Sequence, residues 1–146
     1  MSFNVAHIAL LHMAVTAALV GVIWTVQLAI YPQFGSVAAD CFAAFHRHYV
    51  RGISWLVTPL MGAEVVSAAA LLWWGVRGPA FLGSLVLLAT IWAITFAVEV
   101  PLHRKLGAGY DATAQRQLVW TNWARTLAWT ARSVMVGWWL YGLSGW

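Results

Sequence analysis

The stretch from Thr121 to Arg132, Thr-Asn-Trp-Ala-Arg-Thr-Leu-Ala-Trp-Thr-Ala-Arg, sets two arginines in an apolar segment that runs on through Ser133-Val-Met-Val-Gly-Trp-Trp-Leu140. An ionisable side chain at the centre of a bilayer costs about 2.5 to 3.5 kcal/mol on insertion scales, so it is normally turned into a bundle and paired. Asn122, Arg125, Trp129 and Arg132 are spaced i, i+3, i+7 and i+10, one stripe of a helix, and both guanidinium groups face the same way. Only Glu64 and Glu99 among the acids lie in similarly apolar surroundings. The simplest fold brings them opposite the stripe, Glu64 at the level of Arg132 and Glu99 at that of Arg125, with Arg132 also within reach of Glu99 if the helices tilt.

Composition sets the same frame. The chain has 146 residues, 62% of them hydrophobic and 8% charged, against roughly 25% charged in a soluble domain. Its mean hydropathy is +0.77. A bilayer span takes about 20 largely apolar residues, and the chain holds four such runs and little else. The expectation is an all-α integral membrane four-helix bundle, a single domain over 1–146, in the bacterial inner membrane. The formal charge of +4 is carried by a few basic residues beside apolar runs, which read as topology signals and not as a nucleic-acid surface. The single Cys41 excludes an intramolecular disulfide and a Cys-built zinc site, and reads as a small apolar core residue. The first apolar run is too long for a signal-peptide h-region and lacks a basic n-region.

In order, span 1 covers about 5–30 and stops at Tyr31-Pro32, where proline opposes further helix. Ser36 is placed to cap a short interfacial helix before the second span. Span 2 covers about 53–76, with a kink expected at Pro59, and Arg77-Gly78-Pro79 makes a tight turn. Span 3 covers about 80–98. Asp111 is the expected N-cap of a helix that becomes span 4, about 118–143. Arg47, Arg51, Arg104, Lys105 and Arg116 fall in the two long loops and only Arg77 falls opposite, so the long loops are expected to be cytoplasmic and both termini outside. Trp73, Trp74, Trp138, Trp139 and Trp146 mark the other interface. At about 1.5 Å per residue, Glu64 and Arg132 lie near mid-membrane. Gln27, Glu99 and Arg125 lie nearer the cytoplasmic edge. The result is a polar column open to the cytoplasm and closed by tryptophan.

Glu64, Glu99, Asn122, Arg125 and Arg132 are thus the candidate catalytic residues: arginines and asparagine to hold an oxygen-bearing group, a carboxylate to act as base. A structural ion pair is the competing reading of Glu64 with Arg132. His46, His48, Glu99 and His103 offer imidazole and carboxylate at one membrane face, a ligand set suited to iron, copper or zinc. On a helix only one of His46 and His48 can face inward. A haem held by one of them and His103 is a further expectation. His7 and His12 read as interface or packing residues. Tyr31, Trp120, Trp123 and Trp129 would wall a pocket for a flat apolar ligand. No nucleotide loop, Ser-His-Asp arrangement or paired-Cys motif is present.

Tyr31-Pro-x-Phe34, Phe45-His46, Pro59-x-Met-x-x-Glu64, Val100-Pro-Leu-His103 and Asn122-Trp-x-Arg-Thr126 together resemble the small four-helix membrane proteins of the anthrone-oxygenase-like superfamily. The resemblance covers most of the chain. It implies a four-span bundle and, by its fungal members, oxidation of polycyclic anthrones by molecular oxygen. Asn122 and Arg125 are the positions it implies to be shared; His103 stands where the typical member carries asparagine. The expected activity is a membrane-embedded oxidoreductase acting on a hydrophobic aromatic or isoprenoid compound. The rival expectations are a non-enzymatic subunit of a larger complex, a small proton-linked transporter, and a homodimer packed through Ser67-Ala68-Ala69-Ala70.

Overall fold

The computed structural model describes residues 3–143, and the described residues are helical with no strand among them. Helix α1 is Phe3–Thr25, continued by a π-helical turn at Val26–Ile30, one α-turn at Tyr31–Gln33 and a 3-10 turn at Phe34–Ser36. Helix α2 is Ala39–Trp73. Helix α3, Pro79–Ile94, runs through a second π-turn at Thr95–Glu99 into α4, Val100–Ala108. Helix α5 is Ala112–Leu143. Three of the four rods, Val5–Ser36, Ala39–Trp73 and Pro79–Ala108, are long and apolar enough to cross a membrane. The 32-residue α5 is not among them, because Arg116, Arg125 and Arg132 lower its hydropathy.

Two boundaries differ from expectation for the same reason. Proline was expected to end span 1, since its ring collides with the carbonyl four residues back and it donates no hydrogen bond. Yet Pro32 and Pro101 each sit two residues after a five-residue π-turn, and the rod continues in both cases. A wide turn just ahead of the ring carries away the carbonyls that a straight α-helix would press against it. Ser36 likewise closes the 3-10 turn instead of capping the next helix. The N-cap of α2 is Ala38, with no side-chain cap. The separate interfacial helix is absent: its residues are the first turns of α2, because Gly52 alone is too weak a breaker to divide it. Pro59 lies inside α2 without interrupting it.

The cap at the start of α5 follows the sequence. Asp111 Oδ1 accepts the N–H groups of Thr113 and Ala114 at 2.9 and 2.8 Å, and Oδ2 meets Lys105 Nζ at 2.7 Å. The Lys105 hydrogen bond and the two amides hold this carboxyl below the usual carboxylate range. Its contribution is therefore complete above the ordinary carboxylate pKa and is lost as pH falls through the lowered folded value. Asp111→Ala is expected to speed amide hydrogen exchange in the first turn of α5 near neutral pH, and to make no difference once the pH is well below that value. Equal exchange in the two proteins at neutral pH would refute the cap.

Packing decides where space is left. Helix α1 lies between α2 and α5, and α5 lies between α1 and α3. Helix α2 packs on α4 but not closely on α3, which leaves a cleft between them. The end of the bundle near the start of α1 is closed by Val5, Ala9, Leu71, Phe81, Val136 and Trp139. Trp73, Trp74 and Trp138 are exposed as a belt requires, whereas Trp139 turns inward onto Phe81 with ring centroids 5.0 Å apart; Trp146 lies outside the described residues. Cys41 is exposed, not in the core: Phe42 and His46 put the neighbouring face of α2 inward and so turn position 41 out. Ser67 and Ala68 are buried within the chain, so half of the small-residue face expected to make a dimer is already used.

A candidate hydrophobic-ligand site between the second and third rods

The arginine stripe on α5 meets both acids, in two layers. In the inner layer Arg132 Nη1 donates to Glu64 Oε1 at 2.5 Å and to Thr16 Oγ1 at 2.8 Å. Thr16 also donates to Glu64 at 3.0 Å, and Trp129 Nε1 donates to the other carboxylate oxygen at 3.3 Å. Arg132 Nη2 lies 3.0 Å from His12 Nε2, and since arginine only donates, that imidazole nitrogen accepts. The remaining His12 N–H then points at Ser67 Oγ, 2.7 Å away, and Ser67 donates to the Ala63 carbonyl at 2.7 Å. Arg132, Glu64 and His12 have no exposed surface. His12 was read as a packing residue and is instead a member of this network; with Thr16 it forms an i, i+4 polar pair on α1.

The second layer is looser. Thr121 donates to Glu99 Oε1 at 2.7 Å, and Arg125 Nη1 stands 3.7 Å from Oε2, an ion pair without a hydrogen bond. Arg125 donates to Asn122 Oδ1 at 3.1 Å, and Asn122 donates to Gln27 Oε1 at 2.7 Å. The guanidinium carbon lies 5.2 Å from the centre of the Trp129 ring, within cation–π range. Trp129 thus joins the layers, its N–H on Glu64 and its face under Arg125. Both π-turns fall here and aim Gln27 and Glu99 inward, in keeping with the frequent use of such turns at functional sites.

A cavity of about 600 Å³ fills the cleft between α2 and the α3–α4 rod, a size typical of small-molecule sites. Leu19, Ile23, Val57, Met61, Trp92 and Phe96 form its apolar part, and Tyr31, His46, His103, Glu99 and Arg125 its polar part. His46 Nε2 and His103 Nδ1 are 3.1 Å apart, and His103 Nε2 is 3.0 Å from the Tyr31 hydroxyl. Five buried side-chain atoms among the described residues find no hydrogen-bond partner in the chain. Four of them, His46 Nδ1, Trp92 Nε1, Glu99 Oε2 and Arg125 Nε, belong to residues that line this cavity. These atoms are themselves buried behind the cavity surface, and leaving such a group unpaired costs about 1 to 3 kcal/mol.

No protein-family model, curated protein or solved structure matches this chain. What the site can do rests on its own geometry. Of the five residues expected to be catalytic, Glu99 and Arg125 line the cavity. Asn122 stands behind Arg125 and positions it, while Glu64 and Arg132 are sealed in the inner layer. The metal expectation finds no support: no group of three His, Cys, Asp or Glu side chains among the described residues is arranged to hold an ion. His48 is exposed because it lies two positions from the inward His46 on one helix. Glu99 turns toward Thr121 and Arg125, so only His46 and His103 meet. Nor do these two suit a haem, whose axial ligands stand on opposite faces of the macrocycle and not in mutual hydrogen-bonding contact. Of the expected aromatic wall, Tyr31 and Trp129 line the cavity; Trp123 packs on Trp24 with centroids 5.6 Å apart, and Trp120 is 76% exposed.

Proposed function

We propose that this chain is a four-span protein of the bacterial inner membrane, its long loops cytoplasmic and both termini outside, that acts as an oxidoreductase on a hydrophobic aromatic or isoprenoid compound. The fourth crossing is α5, whose two deep arginines become tolerable in hydrocarbon because Glu64 and Glu99 meet them inside the bundle. The ligand enters from the bilayer through the cleft between α2 and α3, which do not pack closely on one another. The observation that carries the reading is an apolar-walled cavity of small-molecule size whose polar part is made by Tyr31, His46, Glu99, His103 and Arg125.

In the chemistry suggested by the anthrone-oxygenase resemblance, Glu99 accepts a proton from the benzylic carbon that is conjugated with the anthrone carbonyl through the aromatic rings. Arg125, held by Asn122, takes the carbonyl oxygen that gains charge; the carbanion adds molecular oxygen and takes back the proton as a hydroperoxide, which loses water to leave the second carbonyl. Such a substrate is activated by proton removal, which needs only the side chains present. The test is oxygen uptake by the purified protein in lipid nanodiscs with a panel of lipophilic anthrones and related polycyclic ketones that carry such a carbon. Uptake above the protein-free rate, saturating with substrate and absent in Glu99→Gln, is the expected result. Uptake that Glu99→Gln leaves intact, or none with any member of the panel, would remove the proposal.

A further inference from the structure

The cavity has a charged end that the proposed chemistry does not use. Arg47 and Arg51 on α2 and Arg104 on α4 are exposed yet line it. None of the three has an acidic partner: the ion pairs among the described residues join Lys105 to Asp111, Arg125 to Glu99 and Arg132 to Glu64. Arg47 has only a 3.5 Å bond to the Gly107 carbonyl. The groove is polarised along its length. On α2 the lining runs from Arg47 and Arg51 through Ser54 and Thr58 to Met61, and on the third rod from Arg104 through Glu99 to Trp92. At 1.5 Å per residue this is a slot of about 20 Å, cationic at one end and apolar at the other, with Glu99 between.

We infer that the ligand is an anionic amphiphile, a hydrophobic chain or ring system bearing a phosphate or diphosphate, whose head is held by Arg47, Arg51 and Arg104 while its body lies in the cleft. This rests on the reading of the cleft as a hydrophobic-ligand site and narrows its ligand class. Guanidinium groups match phosphate oxygens in charge and in fork geometry, and three of them suit a head carrying more than one negative charge. Basic residues at a cytoplasmic edge also occur as plain topology signals. Those, however, have no reason to converge on a cavity, and Arg116, at the same edge, is not part of its lining.

Trp92 and Trp129 line the cavity, so their fluorescence reports occupancy. The full chain, purified in an uncharged detergent, would be titrated with a fifteen-carbon prenyl diphosphate, with the corresponding prenyl alcohol and with inorganic diphosphate. The expected result is at least tenfold tighter binding of the prenyl diphosphate than of either other probe, an advantage that shrinks as salt is raised. The triple variant Arg47→Gln, Arg51→Gln, Arg104→Gln is expected to bring the prenyl diphosphate down to the affinity of the alcohol, and the distant Arg77→Gln to leave the difference in place. Equal binding of alcohol and prenyl diphosphate would overturn the anionic head while leaving the hydrophobic site standing. Diphosphate alone binding as tightly as the amphiphile would mean a phosphate site without a tail. Failure of all three probes to bind would remove both this inference and the site beneath it.

Discussion

Glu64→Gln is expected to be the most destabilising single conservative change in this protein, by about 3 to 5 kcal/mol, the usual result of removing one partner of a buried ion pair. The reason lies in what remains. Arg132 has no exposed surface, and without the carboxylate its charge would keep only the Thr16 hydroxyl and His12 Nε2 as acceptors. Its Nε already finds none. The glutamine amide would also present a donor to Thr16 or Trp129, both of which now donate to the carboxylate. The complementary change sharpens the test. Replacing both partners, Glu64→Leu with Arg132→Met, removes charge and counter-charge together and is expected to recover most of the loss, because two hydrophobes of similar volume need no hydrogen bonds. Thermal unfolding in detergent of the single and double variants supplies the comparison. A double variant no more stable than Glu64→Gln would show that the pair's partners, and not its charges, hold α1, α2 and α5 together.

How much of this was legible in the chain follows from the kind of signal each feature leaves. A charge in an apolar run can be read from one residue, and the i, i+3, i+7, i+10 stripe on α5 located both guanidinium groups and, by elimination, both acids. Asp111 was equally plain, because an N-cap is a local motif. Gln27 could be placed at the level of Arg125 but not joined to Asn122, and His12 and Thr16 were harder: each is uncharged and tolerable alone in a span, and their role appears only once Arg132 is known to need acceptors. The i, i+4 spacing of His12 and Thr16 was the one available hint. The π-turns leave no composition signal except the proline that follows each, and proline was read as a stop. The cleft could not be read at all. It exists because α2 packs on α1 and α4 and not on α3, a choice of neighbours that depends on the fit of whole helix faces.

Arg125→Lys is expected to lower turnover about a hundredfold or more while leaving the unfolding temperature within a few degrees of the parent. The two expectations separate because the position has two roles. As a charge, Arg125 balances Glu99 across 3.7 Å, and lysine keeps that charge, so neither the acid nor the bundle is left uncompensated. As a planar fork it reaches Asn122 with one nitrogen, lies over Trp129 and lines the cavity. A compact ammonium cannot hold all three relations. If the guanidinium receives the oxygen that gains charge during reaction, losing that fork removes an interaction stronger in the transition state than in the ground state, for which factors of about 10² to 10³ are usual. The loss should therefore fall on kcat, with KM for the lipophilic substrate changed far less, since the apolar wall that binds the body is untouched. Glu99→Gln keeps the shape and the Thr121 bond but removes the base, and should abolish turnover with binding retained. A lysine variant whose KM rises while kcat holds would instead place Arg125 in ground-state binding, and the oxygen-stabilising role would have to be assigned to the His103 and Tyr31 pair that also lines the cavity.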